Sequence, residues 1–332
     1  MPSTDKKQNG LQKSLALIFV YTVATGSIFT YVSYWDSVFF SYCGPGTFLA
    51  FALMTLAILP IALVYSEISP LFHTDGGELI YNIVGFNRHV GFLASWLIMA
   101  AWISVPPAVV MAIVTFISRT FGLGLTFGHT MIIGIIILVA VFLMSMQDIQ
   151  FLVKAQAVCL FANITTTLLT GVLLLFSGHW SFANVANLFQ TNLEPSAGIP
   201  GWIIGMALLI TPFFGFETVP QMVEEGDFPT SNTKKAICGS VLTCGTIYVF
   251  FFFCVAGLDS FQTLLSGDAQ NGFMTITAMQ NLLGWKIWPL IYGCVSILMG
   301  MTASILGFWM STARMLYSMG KKNFVPEIYT KV

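Results

Sequence analysis

The chain has 332 residues, of which 56% are apolar and only 8% charged, with 30 phenylalanines and a mean hydropathy of +0.83. An ordinary soluble domain carries roughly a quarter charged residues to cover its surface, so a water-soluble globule is excluded and lipid is the second solvent. Thirteen basic and 14 acidic residues nearly cancel, which leaves no field to attract nucleic acid.

Taken in chain order, the first apolar run follows Lys6, Lys7 and Lys13 and is too long for a signal-peptide core. With no small-residue cleavage site before Asp36, it reads as a retained signal-anchor helix. A lipid-crossing helix needs roughly 20 apolar residues. The charge-poor intervals predict eight such spans, at 14–35, 48–65, 92–118, 130–146, 155–176, 202–222, 237–258 and 288–310. The runs are continuous rather than alternating, so the expected fold class is an all-α polytopic membrane protein and not a barrel.

Eight spans put both termini on one side, and that side collects Lys6, Lys7, Lys13, Arg88, Lys154, Lys234, Lys235, Arg314, Lys321, Lys322 and Lys331, eleven of the 13 basic residues. Only Arg119 and Lys286 fall opposite. The asymmetry predicts cytoplasmic termini, a multi-pass protein of the cytoplasmic membrane, and outside segments at 177–201 and 259–285. The cysteines, among them Cys159, Cys244, Cys254 and Cys294 inside apolar runs, read as small hydrophobes rather than metal ligands. No HExxH or GxSxG occurs, and His73, His89, His129 and His179 lie near span ends or loops, which argues against an enzyme and implies no cofactor or metal.

Informative residues in lipid are ionisable groups and backbone breakers. The first span carries Thr25, Gly26 and Ser27 near its middle, and the sixth carries Pro212, Gly215, Glu217 and Pro220 in its second half. Each proline removes a donor and disturbs the preceding turn, so the sixth span is expected to break. Discontinuous helices expose free amides and carbonyls that can hold small charged groups, as in inverted-repeat transporters.

Four stretches together resemble the amino acid, polyamine and organocation permeases: GSIF (26–29), YSEISPLFHTDGGELIYNIVGFNRHVGFLASW (65–96), FFGFETVPQMVEE (213–225) and STARMLYSMGKKNFVPEIYTKV (311–332). Their order covers nearly the whole chain. The resemblance implies a five-plus-five inverted-repeat fold with helices 1 and 6 broken, 1–176 being the first repeat and 177–332 an incomplete second one. Two further helices would complete that repeat, so a chain truncated after its eighth helix is expected, and completion by a separate polypeptide stays open.

The resemblance further implies secondary transport of an amino acid or small amine, the carboxylate meeting amides at Thr25, Gly26 and Ser27 near Ile28, and the amino group meeting carbonyls around Phe213, Phe214 and Gly215. Thr211 stands where arginine-agmatine exchangers of the family have an aromatic residue, and Phe213, Phe214 or Phe216 could supply that cover. Many members have a glycine-serine-glycine triplet where this chain has Thr25-Gly26-Ser27, so the side chains of Thr25 and Ser27 restrict the backbone there. If the amide nest closes, a decarboxylated amine such as ethanolamine or a polyamine becomes the expected substrate.

Glu217 is the only acid well inside the sixth span; it is a candidate proton acceptor, or a structural partner for freed backbone. Asn163 falls where some family members carry a helix-5 lysine, and with Thr302 and Ser304 it is a candidate ion site, the coupling ion being a proton or sodium. Glu67, Glu224 and Glu225 read as a solvated acidic rim ahead of a set of latch ion pairs with Lys234, Lys235 or Arg314. The competing expectations are a transport-inactive remnant, a channel and a membrane enzyme. Nothing in the sequence points to an oligomeric state.

Overall fold

In lipid a backbone can satisfy its polar groups by coiling on itself, and the computed structural model is predominantly helical over its described residues, 15–30, 32–72, 74, 76–266 and 272–330. Among them two isolated bridges stand in place of strands. Lys6, Lys7, Lys13, His73 and Lys331 lie outside the described residues. Seven segments are long and apolar enough to cross a membrane: Asp36–Leu71, Arg88–Thr120, Phe127–Ser145, Ile149–Leu175, Gly201–Met222, Thr230–Ala256 and Ile287–Lys321. The first expected span is represented by a shorter apolar helix, Leu17–Ile28, so the protein is an all-α multi-pass membrane protein with seven full-length segments among the described residues, where the sequence predicts eight.

In chain order the helices are α1 (Leu17–Ile28), α2 (Asp36–Cys43), α3 (Thr47–Ile68), α4 (Gly77–Gly85), α5 (Arg88–Thr120), α6 (Phe127–Ser145), α7 (Ile149–Leu175), the single turn α8 (Phe182–Val185), α9 (Gly201–Leu208), α10 (Thr233–Ala256), the single turn α11 (Phe261–Leu264), α12 (Met274–Asn281), α13 (Ile287–Gly293) and α14 (Met301–Lys321). A π-helical stretch, Cys294–Gly300, joins α13 to α14. The Gly76-Gly77 pair starts α4 with Gly76 at φ +90°, and Asn87 caps α5 by accepting from the amides of His89 and Val90. The positive φ at Gly76 lets the chain turn sharply into α4, and the Asn87 cap satisfies free amides at the start of α5.

Helix α10 lies at the centre, against α3, α1 and α7. Hiding a ring from hydrocarbon brings no hydrophobic gain, so close fit and dispersion must hold these helices together. The fit is aromatic: Phe51 of α3 packs on Tyr248 and Phe252 of α10 at centroid separations of 4.8 and 5.1 Å. Helix α6 sits at the periphery, burying only Gly134 and Val141.

Asp36 fastens one end of the bundle. Fully buried at the start of α2, it accepts from the amides of Met274 (3.0 Å) and Thr275 (2.7 Å), which open α12, and from that of Ser37. A carboxylate at a helix N-terminus satisfies orphan donors and complements the helix dipole. Arg119, at the end of α5, donates to Gly272 O and to the Thr277 hydroxyl on the same short helix. Asp36→Ala is expected to cost about 1–3 kcal/mol for each of the two α12 amides left unpaired. The loss should appear as a lower melting temperature in detergent and faster proteolysis within 259–285; an unchanged melt would show that α12 is held elsewhere.

Candidate functional site

The two interrupted helices meet at one place. Gly215 has φ +142°, and a Cβ there would lie 2.7 Å from the Ile28 amide nitrogen and 2.8 Å from Ser27 Cβ. Only a residue without a side chain permits both that backbone angle and that approach. The crossing joins the end of α1 to the sixth span, which runs from α9 through a 3-10 turn, Thr211–Phe213, into a second 3-10 stretch, Phe216–Met222.

Interrupting a helix frees backbone groups that must find partners away from water. Glu217 Oε2 accepts from the Gly215 amide at 2.7 Å, and the Thr218 hydroxyl donates to Gly215 O at 2.6 Å. The Tyr248 hydroxyl donates to Ile28 O at 2.6 Å, with Pro212 O 3.4 Å away, so one side chain of α10 reaches the carbonyls of both breaks. Thr30 donates to Gly26 O at 3.1 Å, and Asn163 Nδ2 to Phe29 O at 3.4 Å.

The interruption of the first span lies later than the sequence predicts. Thr25, Gly26, Ser27 and Ile28 are inside α1, which unwinds only from Phe29 on. Their amides belong to the helix, and the hydroxyls of Thr25 and Ser27 bond to Tyr21 O (2.7 Å) and Val23 O (2.9 Å) of the preceding turn. Side chains at 25 and 27 make unwinding there costlier than glycine would, while their hydroxyls satisfy helix carbonyls. An open amide nest at Thr25, Gly26 and Ser27 is therefore replaced by a helix C-terminus offering carbonyls.

A cavity of about 400 Å³ lies beside this crossing. Thr211, Phe213, Phe214, Phe216 and Glu217 of the sixth span line it, with Tyr65 of α3, Trp102 of α5 and Phe308 of α14; Thr25, Gly26, Ser27, Ile28 and Gly215 are not on its wall. Glu217 is only 6% exposed, and its Oε1 accepts from Trp102 Nε1 at 3.1 Å. The carboxyl thus clamps the broken backbone with one oxygen and the cavity wall with the other. Such a space, aromatic with a single acid, suits a small cation by ring faces and charge.

The ion-site candidates are divided. Asn163 bonds Phe29 O and accepts from Thr167, and Thr302 donates to Leu298 O of its own helix at 2.6 Å. Ser304 is fully buried, with no hydrogen-bond partner for its hydroxyl among the described residues. Sequence reasoning missed Gln156, whose amide donates to Ala303 O at 2.8 Å and borders Gly26 and Gly307; an amide inside an apolar helix was the available signal. It also missed Tyr248, hidden in the aromatic run 248–253. Among the described residues no cluster of His, Cys, Asp or Glu could hold a metal ion.

At the α4 end the acidic residues are paired, where the sequence favours a solvated rim. Arg314 Nη2 lies 2.6 Å from Glu225 Oε2, Lys321 Nζ 3.0 Å from Glu224, and Lys234 Nζ 2.9 Å from Glu67. Lys234–Glu67 is exposed, where solvent screening leaves such a pair little to contribute. Arg314 and Glu225 are buried, so removing either partner strands a charge at a cost of about 3–5 kcal/mol. Backbone bonds from Leu15 N to Glu225 O and from Asp227 N to Leu15 O fasten the start of α1 to the same segment.

Residues 10–332 match the family described as amino acid permease. The glutamate/serine transporter AimA of Bacillus subtilis is 24% identical over 306 residues, covering 87% of this chain and 55% of that protein. The branched-chain amino acid permease BcaP of the same organism is 24% identical over 309 residues, 87% and 63% of the two chains. The gamma-aminobutyric acid permease of Escherichia coli is 23% identical over 300 residues, 90% and 63%. The chain therefore spans between about half and two thirds of the length of these relatives, whose names are those of transporters and not of enzymes.

Gly215→Ala should strain the left-handed backbone and collide with α1, each at about 1–3 kcal/mol. Gly26→Ala meets nothing closer than the Gln156 amide at 3.3 Å and should be tolerated. Thermal melts of the two variants in detergent check the ranking, and equal stability would place the critical crossing elsewhere.

Proposed function

The chain belongs to the amino acid permease family, and on that premise we propose that it takes part in moving an amino acid or related small amine across the cytoplasmic membrane by alternating access. The observation that carries this reading is the meeting of two interrupted helices at Gly215 and Ser27–Ile28, beside a cavity whose only acid is Glu217. In this reading α1 to α7 form the first of two inverted repeats and the helices from α9 onward belong to the second.

The substrate's ammonium lies against Phe213, Phe214 and Phe216, with Glu217 as counter-charge and Thr211 at the cavity wall. The carboxylate, where there is one, requires α1 to unwind at Thr25–Ser27, because those amides are bonded in the closed helix. An amine without a carboxylate requires no such step. The α4 end, with its ion pairs and the start of α1, faces the cytoplasm, and α12 faces outside; the basic-residue count supports this direction.

For coupling, Asn163 and Thr302 are already hydrogen-bonded within the protein. That supports a proton at Glu217 over a sodium ion held by Asn163, Thr302 and Ser304. Uptake by the chain in proteoliposomes, with labelled amino acids and amines and an imposed proton or sodium gradient, is expected to saturate and to exchange with internal substrate. Uptake linear in concentration for every compound would overturn the carrier reading. Glu217→Gln should flatten the pH dependence of uptake, and an unchanged profile removes Glu217 from coupling.

A further inference from the structure

Below the cavity, towards the α4 end, a second carboxyl is buried. Glu78 stands in the first turn of α4, outside the membrane-spanning segments, and is 6% exposed. It contacts the cytoplasmic half of the sixth span, where Gln221 Nε2 lies 2.5 Å from its Oε2. A Cβ on the adjoining Gly77 would come 2.5 Å from Pro220 Cβ, so α4 and this stretch are pressed together.

Among the described residues the groups facing Glu78 are Tyr65 of α3, Tyr81 of its own helix, and Gln221 and Glu217 of the sixth span. No cation is among them. A buried carboxylate without a positive partner, near a second acid, is strongly disfavoured and takes up a proton. Glu78 Oε2 and the Gln221 side-chain amide are in direct hydrogen-bonding contact. The oxygen and nitrogen of a glutamine amide exchange places by a simple flip. With the Gln221 amide turned over, a protonated Glu78 donates to its oxygen.

We propose that Glu78 is a second proton-binding carboxyl of the carrier, holding its proton while the sixth span is latched to α4 and α14 and releasing it when that span swings away on the cytoplasmic side. The inference rests on the transport reading above. In the release step the Glu78 O–H bond breaks, the proton passes to cytoplasmic water and the carboxylate remains, stabilised by hydration that the closed state denies it. Tyr65 lines the cavity and stands beside Glu78, so it lies between this proton and the one at Glu217. Burial, with the nearby Glu217 as a smaller contribution, pushes Glu78 up to about 8, where modest movement of the segment is enough to discharge it near neutral pH.

Infrared difference spectroscopy of the whole purified chain tests the protonation without needing transport. Glu78→Gln preserves shape and mimics the neutral carboxyl, so the variant is expected to fold, and at neutral pH it should lack one protonated-carboxyl band present in the unaltered protein. Retention of every such band overturns the proposal. As a second variant, Gln221→Leu should shift the frequency of that band by removing its partner, and an unmoved band overturns the assignment to Glu78. In proteoliposomes Glu78→Gln should keep substrate exchange between equal pH values while losing at least severalfold of the stimulation by a proton gradient; undiminished stimulation overturns the release step. If the unaltered chain carries no substrate, the transport reading falls, and the infrared bands still decide whether Glu78 holds a proton.

Discussion

The structure depends on the absence of one atom. At Gly215 the sixth span turns through a backbone angle that side chains resist, and in the same residue it comes so close to Ser27 and Ile28 that no Cβ fits between them. Two helices that each surrender part of their internal hydrogen bonding can do so in lipid only if the exposed groups are served from outside the helix. Bringing both interruptions together lets a few side chains serve both. Tyr248 is placed for the carbonyls of Ile28 and Pro212, and Glu217 returns to the amide of the glycine that made the break.

This economy explains why the site carries so little charge. The carboxyl that lines the cavity is the same one that stabilises the turn, so its protonation and the shape of the sixth span are linked. A proton on Glu217 weakens its hold on the Gly215 amide or on Trp102, because a neutral carboxyl accepts less strongly than an ionised one. The ion pairs of Glu224 and Glu225 act further along the same segment. The groups that line the cavity and those that are paired at the α4 end are thus carried by about a dozen consecutive residues.

Much of this was legible in the residues. Charge-free runs gave the spans because lipid tolerates little else, and Pro212 and Pro220 announced the break in the sixth span because proline cannot donate. The first span was less readable. Gly26 marks a close crossing with α7 and α14 and not the point of unwinding, and Thr25 and Ser27 hide their polarity by bonding the helix that carries them. The pairing of Glu225 with Arg314 joins residues 89 apart in sequence, and periodicity carries no information on such a contact. Gln156 and Tyr248 escaped notice for the same reason: each is a single polar group whose partner lies on another helix.

The π-helical stretch Cys294–Gly300 has a further effect on the bundle. A wider turn of this kind accommodates one additional residue between fixed ends, and one residue corresponds to a rotation of roughly 100° for everything beyond it. In that phase Gly300 abuts Asn163 and Gly307 abuts Gln156. Excising a single residue from the stretch would regularise the coil and swing those two glycines off their crossings, presenting bulky side chains to α1 and α7 instead. Besides the glycine at 300, what this part of the chain must keep constant is its length.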